Sequence, residues 1–305
     1  MQHMLLGFQP NIFYSCYDSY CCKIRSQYKQ TINRCNDPLI MSLDSLSQLY
    51  SYRHHPVFTS LFSVVPFNEL SSWPTANDLN ELAPGPMRFI TDPETASEAG
   101  MLLETLGYEG FIHQTQSIPT RRNWHDAFNA AIWHQFPRTK QRLNQLHIAY
   151  IAKHGALPRG KVRDHITHFD ECGVIIAHTA NSPVPQQLLQ HQWQSALVEN
   201  KQQWGHQVDA FVFGHANLEM LLNPHIGLTG KWVGIEVQDG FFVQRPSLQV
   251  ALLDALLARR VDDAFFANKL PPIPFLGIPG WWGKQDAGFY ANTEYFRPKR
   301  INKNK

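Results

Sequence analysis

Residues 120–155 read TRRNWHDAFNAAIWHQFPRTKQRLNQLHIAYIAKHG, and the way they divide sets the fold class. Asn123 is a helix-capping residue type, and Asp126 three positions later makes a capping-box-like pair with it. Trp124, Phe128, Ala131 and Ile132 then recur at helical spacing and form an apolar stripe. Pro137 cannot continue that helix but suits the first turn of another, so a second helix begins there and stops at Gly155.

Working outward, RGKVRDHITHFDECG (159–173) predicts a third helix and GVIIAHT (173–179) a strand. Residues 186–203 predict a long amphipathic helix. VDAFVFGH (208–215) predicts a buried strand, ANLEMLLNP (216–224) a short helix and KWVGIEV (231–237) another strand. PSLQVALLDALLARRVDDAFFA (246–267) predicts an apolar helix with Pro246 at its start. Upstream, DPETASEAGMLLETLG (92–107) predicts a helix ended by Gly107, and YEGFIHQTQSIP (108–119) a short strand or extended link. Prolines 56, 66, 74, 84 and 86 divide residues 44–90 into short helices and a meandering loop. The sum is an α+β fold, mostly helical with a small central sheet, in a single globular domain over 41–296.

The first 40 residues differ from the rest. They hold Cys16, Cys21, Cys22 and Cys35 without regular period, and SLDSLSQLY after Met41 reads as the start of an ordinary domain. Residues 1–40 are therefore expected to be a disordered extension or an upstream misreading with translation starting at Met41. The cysteine spacing lacks paired CxxC units, which argues against a zinc finger. With one further cysteine, Cys172, in the body, a reducing compartment fits better than a disulfide scaffold. The N-terminus lacks the basic start and apolar run of a signal peptide, and no 18-residue apolar stretch exists to span a membrane. A cytoplasmic location is expected.

Charge is unevenly placed. Residues 297–305 are a basic tail, RPKRINKNK, whereas 41–296 hold 18 basic against 23 acidic residues, a net of −5. Within that acidic body, 121–163 hold nine basic residues and one acid, Asp126, a local net of +8. Such an excess favours anionic ligands, either a small molecule or nucleic acid, although two helices with solvated basic faces would give the same count.

Candidate site residues follow from this stretch. His125 and Asn129 stand four apart on one helix face, with His125 suited to proton transfer near neutral pH and Asn129 to positioning. Arg121, Arg122, Arg138 and Lys140 would supply an anion clamp. Lys140, Asn144 and His147 share a face of the second helix and would line a polar crevice against the first. On the third helix Arg163, Thr167 and Asp170 share a face, and Asp164 pairs with His168 at i,i+4. Asp164 and Asp170 are candidate catalytic, metal-binding or orienting carboxylates. Acids at a helix C-terminus need partners, and Arg121 or Arg122 could provide them. His215 and Glu219, four apart after a buried strand, form a further pair but lack the second histidine of a zinc-binding HExxH. GLTGK (227–231) lacks phosphate-loop spacing and reads as a turn, no GxSxG elbow is present, and PFLGIPGWW (274–282) reads as core packing, with stacking by an exposed Trp281–Trp282 pair as the rival.

Four stretches together, RNWHDAFNAAIWHQFPRTKQRLNQLH, RDHITHFDECG, GHANLEMLLNP with the following IGLTGK, and PFLGIPGWW, resemble the bacterial domain-of-unknown-function family 3025. The resemblance runs from about Met41 to near Arg297 and implies no activity, cofactor or catalytic residue. Chemistry alone therefore gives three readings: a hydrolase-like enzyme on an anionic, phosphate-bearing substrate, a non-catalytic protein holding nucleic acid or an acidic partner, and a structural protein with a polar helix interface. No cofactor, metal or oligomeric state is legible.

Overall fold

A computed structural model describes residues 49–70, 72–82 and 85–299 of the chain. The expectations for residues 1–40, including their four cysteines, and for most of the basic tail lie outside that range. Ten α-helices among the described residues surround two small sheets, which makes the fold α+β.

The chain enters through α1 (Pro56–Phe62) and α2 (Ala76–Leu82). Strands β1 (Arg88–Thr91) and β2 (Ser117–Thr120) pair in parallel, and α3 (Glu98–Thr115) crosses between them. The helix predicted to end at Gly107 does kink there, at φ 67° and ψ 170°, but then resumes through Thr115. The expected strand over 108–119 is thus confined to four residues, because apolar Phe111 and Ile112 bury equally well from a helix. The charged edge RFIT, β1, has too little alternation to announce a strand.

The hairpin of α4 (Trp124–Gln135) and α5 (Pro137–His154) breaks at Pro137, as its residues dictate. Asn123 caps α4 by accepting from the Asp126 amide at 2.8 Å. Asp126 does not close a capping box. Its carboxylate accepts from the Arg121 amide at 2.7 Å and from the Arg121 guanidinium instead. Helix α5 has no cap of its own, and a neighbour supplies one. Buried Asp254 of α9 (Pro246–Arg260) accepts from the amides of Arg138 at 3.1 Å and Thr139 at 2.8 Å. Charged hydrogen bonds of this kind contribute about 1.5–3 kcal/mol. Asp254→Ala is therefore expected to lower unfolding free energy by about 2 kcal/mol in urea titrations, and a change within error would show that the amides find other acceptors.

Helix α6 (Lys161–Cys172) runs without a loop into β3 (Gly173–His178), the centre of a four-stranded sheet ordered β4-β3-β5-β6. Strand β4 (Val208–Val212) pairs antiparallel to β3, β5 (Thr229–Glu236) parallel to it, and β6 (Pro272–Pro274) antiparallel to β5. Five of the six β3 residues are buried because helices cover both faces. The long helix predicted over 186–203 is broken into pieces: α7 (Val184–Leu189) ends before His191 at φ 55°, and a π-helix, Ser195–Glu199, and a 3-10 turn, Lys201–Gln203, follow. Helix α8 (His215–Leu221) follows β4, and α10 (Ala287–Tyr290) is the last helix among the described residues. PFLGIPGWW is core, as expected: Phe275, Leu276, Ile278 and Trp281 are all buried. No helix among the described residues is long and apolar enough to cross a membrane.

Candidate functional site

Two helix N-termini meet at the site. The α6–β3 junction is so tight that Phe213 and Gly214 both donate to the Gly173 carbonyl, at 3.0 and 2.9 Å, which seats the first turn of α8 on the last turn of α6. A Cβ on Gly214 would lie 2.5 Å from both the Cys172 Cα and the Glu171 carbonyl oxygen, so only glycine fits. This close approach delivers His215 and Glu219 of α8 to His125 in the first turn of α4. Gly214→Ala is expected to cost about 1–3 kcal/mol through forced backbone movement, and to displace His215. Unchanged stability together with an unchanged His215 NMR resonance would show that the junction yields freely.

The central feature is a chain of three side chains leading inward. Glu219 Oε2 lies 3.1 Å from His125 Nδ1, and His125 Nε2 lies 3.1 Å from His215 Nε2. Exposure falls along it, from 44% for the Glu219 side chain to 19% for His125 and 6% for His215. Only one hydrogen can occupy the line between the two Nε2 atoms. Burial opposes charge on His125, yet its hydrogen bond to Glu219 and the charges of Glu219, Asp126 and Glu171 outweigh burial and raise its pKa. Burial, with the charges of His125 and Lys140, instead holds His215 well below the usual histidine range. Of the two rings, His125 is therefore the one that takes up positive charge first as pH falls, and His215 is the one that stays neutral. When charged, His125 donates from both nitrogens, to Glu219 and His215, and neutral His215 then keeps its hydrogen on Nδ1, 4.0 Å from Asp170 Oδ2.

Asp170 links this chain to a buried polar seam. Its Oδ1 accepts from Lys140 Nζ at 2.6 Å, Lys140 also donates to Asn129 Oδ1 at 2.9 Å, and Asn129 Nδ2 donates to the Tyr108 hydroxyl at 3.0 Å. One turn on, Asn144 Nδ2 donates to Glu109 Oε2 at 2.6 Å, and His147 Nε2 lies 4.0 Å from Glu109 Oε1. Next to the histidines, buried Glu171 has its pKa raised by burial, with His125 pulling the other way.

The structure thus brings together His125, Asn129, Lys140, Asn144, His147 and Asp170 along one seam. Lys140 is 5% exposed and committed to Asp170 and Asn129. The other cations lie elsewhere. Arg121 holds Asp126, Arg122 and Arg138 are exposed, and Arg163 donates to the Ala156 carbonyl at 2.8 Å. The partner of Asp170 is Lys140, not Arg121 or Arg122, and Asp164 pairs with Arg159 at 3.1 Å. Arg159, Tyr108, Glu109 and Glu171 belong to the seam but carry no local pattern that would single them out. His215 and Glu219 had such a signal in their i,i+4 spacing after a strand. Among the described residues, no group of three or more His, Cys, Asp or Glu side chains is disposed to hold a metal ion.

Comparison with known proteins adds one match. No curated protein and no solved structure matches the chain. A family model described as "Protein of unknown function (DUF3025)" matches residues 88–300, a span that begins at β1 and contains every side chain of the site. The chain belongs to the DUF3025 family.

Proposed function

We propose that the protein is a hydrolase-like enzyme in which His125 is general acid and base, acting on an anionic, phosphate-bearing substrate. The observation that carries this reading is the Glu219–His125–His215 chain, in which a half-exposed carboxylate fixes one ring nitrogen and leaves the other paired with a neutral, buried imidazole. A histidine so held is oriented, and its raised pKa favours the charged form that proton donation to a leaving oxygen requires. In a single displacement the water oxygen bonds to the phosphorus as the bond to the leaving oxygen breaks, and the Nε2 proton of His125 passes to that leaving oxygen. The proton released by the water then returns to neutral His125, which restores the starting state. Glu219 stabilises the imidazolium, and His215 gives Nε2 a resting partner that a substrate oxygen displaces. Anion preference is supported by Arg122, which is exposed just ahead of the first turn of α4 that bears His125.

A second reading, a non-catalytic surface for nucleic acid or an acidic partner, is favoured by one observation: Arg122, Arg138, Lys153 and Lys161 are all exposed. One experiment separates the two. Wild type and His125→Ala are screened against phosphoesters and nucleic acids with divalent metals, while melting temperature is recorded. Turnover by wild type that the variant loses, at similar melting temperature, supports the enzyme. Equal turnover by both defeats it. Salt-sensitive nucleic-acid binding without turnover favours the second reading.

A further inference from the structure

We infer that His125 and His215 form a site for a divalent transition-metal ion of the Zn²⁺ kind, held between their Nε2 atoms. The site stands on its own geometry and does not depend on the acid–base reading.

Each ring has a carboxylate behind it. His125 Nδ1 lies 3.1 Å from Glu219 Oε2, and His215 Nδ1 lies 4.0 Å from Asp170 Oδ2. A carboxylate on that side draws the hydrogen of a neutral imidazole to Nδ1 and leaves the Nε2 lone pair bare, an arrangement that metal-bound histidines share. Here the two Nε2 atoms face each other at 3.1 Å. Two bare lone pairs so close repel unless a cation lies between them, and that cation is either a proton or a metal ion.

The geometry suits the metal. Two nitrogens bound to one tetrahedral zinc stand about 3.3 Å apart, near the 3.1 Å of this pair. The ring centroids are 4.5 Å apart, with the planes at 77°. A straight N–H···N bond would hold the centroids apart by the nitrogen separation plus a ring radius on either side, which is more than this. The nitrogens are therefore angled, as two bonds to a common ion are, rather than aligned on one hydrogen.

The surrounding charge favours a cation. Glu219 of α8 and Asp170 and Glu171 of α6 are the acids around the rings, and Lys140 of α5 is the base. Asp126 of α4 is already matched by Arg121. Three carboxylates against one ammonium leave negative charge that a divalent ion offsets. Imidazole nitrogen selects Zn²⁺, Cu²⁺ or Ni²⁺, whereas Mg²⁺ and Ca²⁺ prefer oxygen. Two histidines do not complete a coordination shell, so water takes the other positions and the ion is exchangeable rather than structural. His125, 19% exposed, gives it a path from solvent. Proton and metal compete for one place: while the ion is bound, His125 Nε2 has no hydrogen to give.

The test adds Zn²⁺ alone to the full chain, cleared of metal by a chelator, and follows it by calorimetry and 15N-histidine NMR. Wild type is expected to bind one ion per chain, with the Nε2 resonances of His125 and His215 moving together and Mg²⁺ moving neither. His125→Ala and His215→Ala are each expected to lose this binding, and Glu219→Gln to weaken it about tenfold, as loss of a carboxylate behind a ligand does. No binding by wild type, or binding that leaves either Nε2 resonance in place, overturns the site, whether or not the His215 variant folds. Wild-type affinity in folded His125→Ala overturns it as well. Zinc affinity is read without substrate, so its failure is distinguishable from failure of the turnover test on His125→Ala.

Discussion

Replacing His125 by alanine is expected to lower turnover of the phosphoester identified by screening about 10²–10⁴-fold, the usual contribution of a positioned acid–base group, with little change in melting temperature. The asymmetry comes from where the ring sits. His125 is the middle member of the relay but still 19% exposed, so its removal leaves a space that solvent reaches rather than a sealed cavity. Glu219 loses a partner but is 44% exposed and rehydrates. Glu219→Gln should be milder in rate and more informative in pH. Glu219 raises the His125 pKa through its hydrogen bond and its charge, so the amide lets that pKa fall. The limb of the pH–rate profile that requires the imidazolium should then move to lower pH. A limb that stays in place would mean that another group sets it. A wild-type rate in His125→Ala would remove the ring from the chemistry altogether.

The residues around that relay differ in how far the sequence announced them. The α4–α5 hairpin, α6, and strands β3, β4 and β5 were legible because capping residues, prolines, glycines and apolar runs all act within a few positions. Helical spacing also placed Lys140, Asn144 and His147 on one face, and that face does line the seam. Depth was not legible. The charge excess over 121–163 is real, but Arg121 is spent on Asp126 and Lys140 on Asp170, whereas Arg122 and Arg138 point outward. A count along the chain cannot tell which cations share a neighbourhood. That depends on the crossing of α4, α5, α6 and α8 and on the glycine contact at the α6–β3 junction, where residues 40 or more positions apart meet. The pairing of His125 with His215 is of that kind, at a separation of 90. The long helix predicted over 186–203 failed for a local reason instead: a left-handed His191 breaks a pattern whose apolar spacing is otherwise helical.

His147→Gln is expected to make the protein markedly more resistant to acid. Burial, reinforced by Arg159 and Arg163, holds the His147 pKa at about 3 against 6.5 in an unfolded chain. Below pH 6.5 the unfolded chain therefore takes up a proton that the folded one refuses, and stability falls as pH falls until about 3. Each pH unit in that window costs about 1.4 kcal/mol, so His147 alone removes about 2 kcal/mol by pH 5. His215, also held low by burial, and partly exposed His168, at about 4, act in the same direction. Asp209 opposes them: burial raises its pKa to about 6, so the folded state gains as pH drops from 6 toward 3.8. His125 does not enter, because its raised pKa contributes fully below 6.5 and is lost only as pH rises through the folded value. The offset leaves wild type less stable at pH 5 than at pH 7, and glutamine at 147, neutral throughout, should recover about 2 kcal/mol of that difference in paired urea titrations. If the variant and wild type lose stability in parallel between those two pH values, His147 is not sealed from water in the folded protein.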